Sequence, residues 1–201
     1  MRTREALLDA AIALAKDGRS PSIPEVAEAA RVSTATAYRY FPNPQSLWAD
    51  LASREQTLRG DFFRVVEELT GDDAEQRIDT VVRRTAEMQL ADEVLWRTVL
   101  RATLDRWFEQ QELPESERVP VRGTTRLELA RAAVEPLADR LSPARLDRLV
   151  HAITLVFGVE ALVSTRDSCA LDPEGAADLM VWSARALVRA ALAEAEAPHT
   201  D

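Results

Sequence analysis

The chain has 201 residues, 46% of them hydrophobic, and a formal net charge of −9. That suffices to bury a core in one or two small domains, and six glycines and ten prolines are too few for a fibrous or low-complexity chain. No apolar run approaches the roughly 20 residues of a membrane span, and one cysteine with two histidines gives neither an internal disulfide nor a metal cluster.

The N-terminal Met1-Arg2-Thr3-Arg4-Glu5 passes straight into an amphipathic pattern without an apolar secretion segment, so a cytoplasmic protein is expected. Charge is uneven along the chain. Residues 1–60 hold eight basic and seven acidic side chains, a net +1, which leaves −10 for the remainder. An acidic body repels a phosphate backbone and leaves only the N-terminal head suited to approach one. Ordinary surface scatter produces the same asymmetry.

The first predicted helix covers residues 3–17, with Leu7, Leu8, Ala11, Ile12, Leu14 and Ala15 on one broad face and Gly18 as its stop. Ser22 and Glu25 then form S-x-x-E, a capping box that opens a short helix, with Pro24 in its first turn. Val26, Ala27 and Ala30 face inward, and the small alanines let a second helix cross closely. The chain turns at Ala30-Arg31-Val32. Ser33 caps the next helix, Thr34 to about Tyr40, and Phe41-Pro42 ends it. Asn43-Pro44 starts a long helix over 44–70 with Leu47, Leu51, Leu58, Phe62, Val65, Val66 and Leu69 in its stripe. Gly60 lies inside it and Gly71 ends it.

Helical periodicity continues over about 74–90 and 93–112. Leu113 to Pro120, rich in charge and proline, reads as an exposed connection. A helix from about 124 to 141 follows, kinked at Pro136. Ser142-Pro143 opens a helix to about 166, and Asp172-Pro173 opens the last one, to about 196. There is no strand-like alternation and no internal repeat. The expected class is all-α, with about nine helices.

The chemistry concentrates in residues 22–41. Two short helices joined by a tight turn, the second polar on its outer face, suit reading of a DNA major groove. Thr34 and Thr36 can bond bases or touch a thymine methyl, and Arg39 can bind guanine in bidentate fashion. Tyr38 and Tyr40 carry hydroxyls that can reach phosphate oxygens and fix register. With the capping residues Ser22 and Ser33 they make the expected DNA-contacting set. A capped helical hairpin of this kind also occurs in all-α proteins that bind no DNA.

The segment REALLDAAIALAKDGRSPSIPEVAEAARVSTATAYRYFPNPQSL resembles the N-terminal domain of TetR-family regulators. The shared features are Ala10-Ala11, Gly18, Val26-Ala27, Ala30, Val32-Ser33, Tyr38-x-Tyr40-Phe41 and Leu47, over about 45 residues. The resemblance implies a helix-turn-helix DNA-binding domain over 1–46 and a helical ligand-binding and dimerisation domain over 47–201. It implies a homodimeric repressor of a palindromic operator, released by a small-molecule effector, with no cofactor and no membrane partner. Two positions depart from the family. Arg31 stands where the turn usually has glycine, and a positive φ there would strain it. Pro44 stands where lysine often contacts phosphate, so affinity is lowered or Arg4 or Arg54 compensates.

For the dimer interface the resemblance points to the last two long helices, and Leu149, Ile153, Phe157, Leu179, Trp182 and Leu187 are its candidates. An intramolecular core would use the same residues. For the effector, Met88, Trp96, Leu100, Leu104, Trp107 and Phe108 recur at helical spacing and offer an apolar lining, with Arg126 as a polar contact beside Arg97, Arg101 and His151. The effector is expected to be apolar or amphipathic. These residues equally suit plain core. No HExxH, P-loop or glycine-rich phosphate cradle marks an enzyme. The competing reading is a helical interaction protein with weakened or lost DNA binding.

Overall fold

The computed structural model describes residues 2–15, 21–44, 46–47, 50, 64–118 and 121–196. Every regular element among them is helical. In chain order they are α1 (Arg2–Ala15), α2 (Ile23–Ala29), α3 (Thr34–Tyr40), α4 (Ala74–Ala91), α5 (Glu93–Gln111), α6 (Thr125–Val134), α7 (Pro143–Leu155), α8 (Val159–Val163) and α9 (Pro173–Glu196). Short 3-10 turns follow at Glu115–Glu117 and Glu135–Leu137, and a π-helical turn at Ser164–Ser168. No described helix is long and apolar enough to cross a membrane. Of the sequence expectations, Gly18, Arg54, Gly60, Pro120 and most of the 44–70 helix lie outside the described residues.

The chain divides into two compact units, residues 1–58 with 93–122 and residues 59–92 with 123–201. The division departs from a boundary at residue 46, because α5 packs with α1 and joins the N-terminal unit. In that unit Leu7, Leu8 and Ala11 of α1 form a core with Ile23, Val26, Ala27, Ala37, Phe41 and Leu47. Ile12, Leu14, Ala30 and Val32 pack against it, partly buried. Trp96, Val99 and Ala102 of α5 are also buried.

In the second unit α4 packs along α9 and against α6, and α7 packs on α6 and α9. Asp73 caps α4 by accepting from the backbone N–H groups of Glu75 (2.9 Å) and Gln76 (3.4 Å). Ser142 caps α7, and Asp172 accepts from Gly175 N–H at 2.7 Å in the first turn of α9. These starts follow the sequence reading.

Two helix ends correct it. The helix expected over 124–141 stops at Val134 and tightens into the 3-10 turn. Pro136 has no N–H for the carbonyl of Ala132 four residues back. Arg77 supplies the missing donors, Nη2 to Ala132 O at 2.8 Å and Nε to Ala133 O at 3.2 Å. The helix expected over 143–166 is broken at 156–158. Gly158 has φ +96°, outside the range of L side chains, and α8 restarts after it. Arg126 closes this break, with Nη1 donating to Thr154 O (3.3 Å) and Phe157 O (3.0 Å) and Nη2 to Glu160 Oε1 (3.1 Å). A Cβ on residue 158 would stand 2.5 Å from Arg126 Cδ.

Candidate nucleic-acid interface

The helix hairpin 22–41 is built by local side-chain caps. Ser22 and Glu25 make the reciprocal capping box: Ser22 N–H donates to Glu25 Oε2 at 2.8 Å and Glu25 N–H to Ser22 Oγ at 3.5 Å. At the far end of α2, Arg31 N–H donates to Glu28 O at 3.0 Å and Val32 N–H to Ala27 O at 2.9 Å. This paired closure requires a left-handed residue at Arg31, and its φ is +57°. The strain expected for a non-glycine residue in this turn is therefore present.

Ser33 opens α3. Its Oγ accepts from Thr36 N–H at 3.2 Å and shares a hydrogen bond with Thr36 Oγ1 at 2.8 Å. Ala37 is the buried residue of α3 and anchors it in the core. The next helix start repeats the device. Ser46 N–H donates to Asn43 Oδ1 at 2.7 Å, and Asn43 N–H to Ser46 Oγ at 3.4 Å.

With one face of α3 held, the other is turned outward. Thr34, Tyr38, Arg39 and Tyr40 are exposed and Thr36 is half-buried. Tyr38 keeps 45% of its surface accessible, large for an aromatic residue inside a helix. Arg39 Cζ lies 5.7 Å from the Tyr40 ring centroid, a cation–π contact that holds the guanidinium over the outer face. Among the described residues Arg39 has no carboxylate partner. The face thus offers hydroxyl donors and one uncompensated cation, the set needed to bond base edges and phosphates. Ser22 and Ser33 are exposed but spend their side chains on the caps. Arg4, the described candidate to replace a phosphate contact at Pro44, is ion-paired to Asp50 and lies 3.9 Å from Glu5.

The candidates for an effector lining separate. Met88 and Arg126 belong to the second unit, and Trp96, Leu100, Leu104, Trp107 and Phe108 to the first. Trp96 is buried, whereas Leu104, Trp107 and Phe108 are exposed on the second half of α5. The Trp107 and Phe108 rings meet edge to face, 5.1 Å between centroids. Arg126 is occupied at the helix break. Arg97 pairs with Glu93 at 2.8 Å and Arg101 with Asp105 at 4.0 Å, each along its own helix face. His151 is exposed.

The interface candidates also separate. Leu149, Ile153 and Phe157 are 4%, 0% and 0% exposed within one protomer. Their surface is consumed by the unit's own core, which removes them from a dimer face. Leu179 and Trp182 remain exposed and Leu187 half-buried. Leu155, which the sequence reading passed over, is the most exposed large apolar residue described, at 79%. Its position at the end of α7, just before the unforeseen break, explains the omission.

These elements define an all-helical protein with a capped helix-turn-helix hairpin near its N-terminus. No family model matches the chain, and no curated protein matches it. Among solved structures it is similar to SmeT, determined in complex with triclosan, at 15% identity over 100% of this chain and 97% of that one, with a TM-score of 0.55. It is also similar to a TetR transcriptional regulator from Rhodococcus sp. RHA1, at 18% identity over 94% and 96% of the two chains, with a TM-score of 0.49. At these identities the likeness shows the fold alone, an all-helical fold shared with SmeT along the whole chain.

Proposed function

We propose that this chain is a ligand-responsive transcriptional repressor that binds a palindromic operator as a homodimer. The observation that carries the reading is the outer face of α3. A seven-residue helix, capped at Ser33 and anchored at Ala37, exposes Thr34, Tyr38, Arg39 and Tyr40 together. A plain core hairpin has no need of such a face.

Two heads are needed to read two half-sites about 34–36 Å apart. Leu155, Leu179 and Trp182 supply exposed apolar surface on the second unit for an isologous contact. An effector that binds a non-operator state more tightly lowers operator affinity by that differential affinity alone. The complex of the similarly folded SmeT with triclosan supports an apolar or amphipathic effector. The chain uses no cofactor, performs no turnover and works in the cytoplasm.

A mobility shift with the intergenic DNA beside its own gene, against random competitor at two salt concentrations, tests this reading. A specific, salt-sensitive complex of two protomers per site is expected. Arg39→Ala should change sequence preference, and Tyr38→Phe should weaken all sequences about equally. No complex at micromolar protein and low salt, or indifference to both substitutions, favours the helical interaction protein instead.

A further inference from the structure

The buried stripe of α4 reads Ala74, Ile78, Val81, Val82, Thr85, Ala86 and Gln89. Its last third places two polar side chains, one helical turn apart, where the pattern calls for apolar ones. Thr85 is 0% exposed and Gln89 3%, and neither Thr85 Oγ1 nor Gln89 Oε1 has a hydrogen-bond partner. Two other buried threonines behave differently. Thr103 donates to Val99 O at 2.9 Å and Thr165 to Ala161 O at 2.9 Å, the ordinary bond of a helical threonine to the carbonyl four residues back. Thr85 forgoes that bond to Val81.

Ion pairs of Glu75 with Arg185 and Arg189, and of Arg83 with Asp178, set α4 and α9 antiparallel. Residues beyond Arg83 on α4 therefore lie level with those before Asp178 on α9. These are Gly175, Ala176 and Ala177, and the two alanines are buried. On α9 this end of the helix pair is built from small side chains.

Unsatisfied buried polar groups destabilise a protein and are rare without a role. We infer that Thr85 and Gln89 are the polar anchors of the effector site, binding a neutral hydroxyl of an otherwise apolar ligand. A hydroxyl donates to Gln89 Oε1 and accepts from the Thr85 O–H, satisfying both at once. None of the fully buried side chains among the described residues carries a charge, so a buried carboxylate or ammonium would lack compensation here. The inference rests on the reading of the chain as ligand-responsive and names the group that ligand presents.

The test uses the full chain and two matched probe pairs, 1-naphthol with naphthalene and 4-phenylphenol with biphenyl. Melting and direct binding are read on wild type, Thr85→Val, Gln89→Leu and Thr85→Ser. Operator binding is not read, so failure here and failure of the regulator reading remain distinct. The hydroxylated probes should raise the wild-type Tm and their hydrocarbon partners should not. Thr85→Val and Gln89→Leu should each raise the ligand-free Tm by roughly 2–4 °C and weaken hydroxyl-probe binding about tenfold or more, while Thr85→Ser retains it. A lower ligand-free Tm in both apolar variants would assign the pair a structural role and overturn the inference. So would hydroxyl probes that bind no better than the hydrocarbons, or that bind the apolar variants as tightly as wild type.

Discussion

The helix ends of the two units are closed by different means. In the N-terminal unit α2 closes through backbone bonds of Arg31 and Val32, and α3 through Phe41 N–H on Ala37 O at 2.9 Å. Arg118 donates to the carbonyls of Leu113 and Gln111, five and seven residues away. In the second unit the terminal carbonyls of α6 are held by Arg77, 55 and 56 residues away in sequence. Those around the end of α7 are held by Arg126, 28 and 31 residues away. Helix starts are local in both units, at Ser22, Ser33, Asp73 and Ser142. The first unit thus folds its helices from neighbouring residues, whereas the second needs its tertiary structure to finish them.

The strongest way to break this contrast is at Gly158. Alanine there must adopt φ near +96° and displace the Arg126 side chain that closes the helix. We expect Gly158→Ala to cost about 3–5 kcal/mol in urea unfolding, from backbone strain plus steric overlap. A cost below about 1 kcal/mol would mean that the break closes without Arg126. Next comes Arg77→Met, which keeps the stem but removes the donors to Ala132, Ala133 and Gly71. It should cost about 2–3 kcal/mol, since three carbonyls lose charged donors. Its counterpart, Ser33→Ala, should cost about 1 kcal/mol, the usual value of a lost N-cap. If the two substitutions cost the same, the long-range closures are no more demanding than the local ones.

The same contrast explains what could be read in advance. Ser22 with Glu25, Ser33, Asn43 and Ser142-Pro143 announce helix starts, because cap and helix are adjacent in sequence. The exposed face of α3 was legible for the same reason: seven residues with one buried position, Ala37, leave the others exposed or, at Thr36, half-buried. The break at Gly158 was not, since periodicity runs through it and the arginine that closes it comes from elsewhere; at the end of α6, Pro136 announced a kink but not the stop at Val134. Phe157 shows the consequence. Read within one long helix it is an interface residue, yet the break turns it wholly into the core. The unpaired hydroxyl of Thr85 was illegible too, because a helical threonine ordinarily bonds its own backbone.

Arg31 offers a smaller test, on the local side of the contrast. Its φ of +57° suits glycine better than a residue that carries a Cβ. Arg31→Gly should stabilise the protein by about 0.5–1 kcal/mol, part of the relief being offset by glycine's greater freedom in the unfolded chain. A loss of stability instead would show that the Arg31 side chain does more for the turn than its strain costs.

The smallest effect belongs to Glu75, which ties α4 to α9 across 110 and 114 residues. The hydrogen bond from Arg189 holds its carboxyl below the usual glutamate value, with Arg189 and Arg185 charge adding to this and burial opposing it. A carboxylate with a lowered folded pKa stabilises fully above its unfolded pKa of about 4.3, and loses that contribution as pH falls through the folded value. Glu75→Gln should therefore melt about 1–2 °C below wild type at pH 7, because a solvent-accessible pair is weakened by screening. The gap should stay constant down to about pH 5 and close on further acidification. A gap that does not narrow as pH falls would trace the loss to the acceptor oxygen that the amide lacks and not to the charge. The pair would then be a register mark between α4 and α9 and not an electrostatic tie.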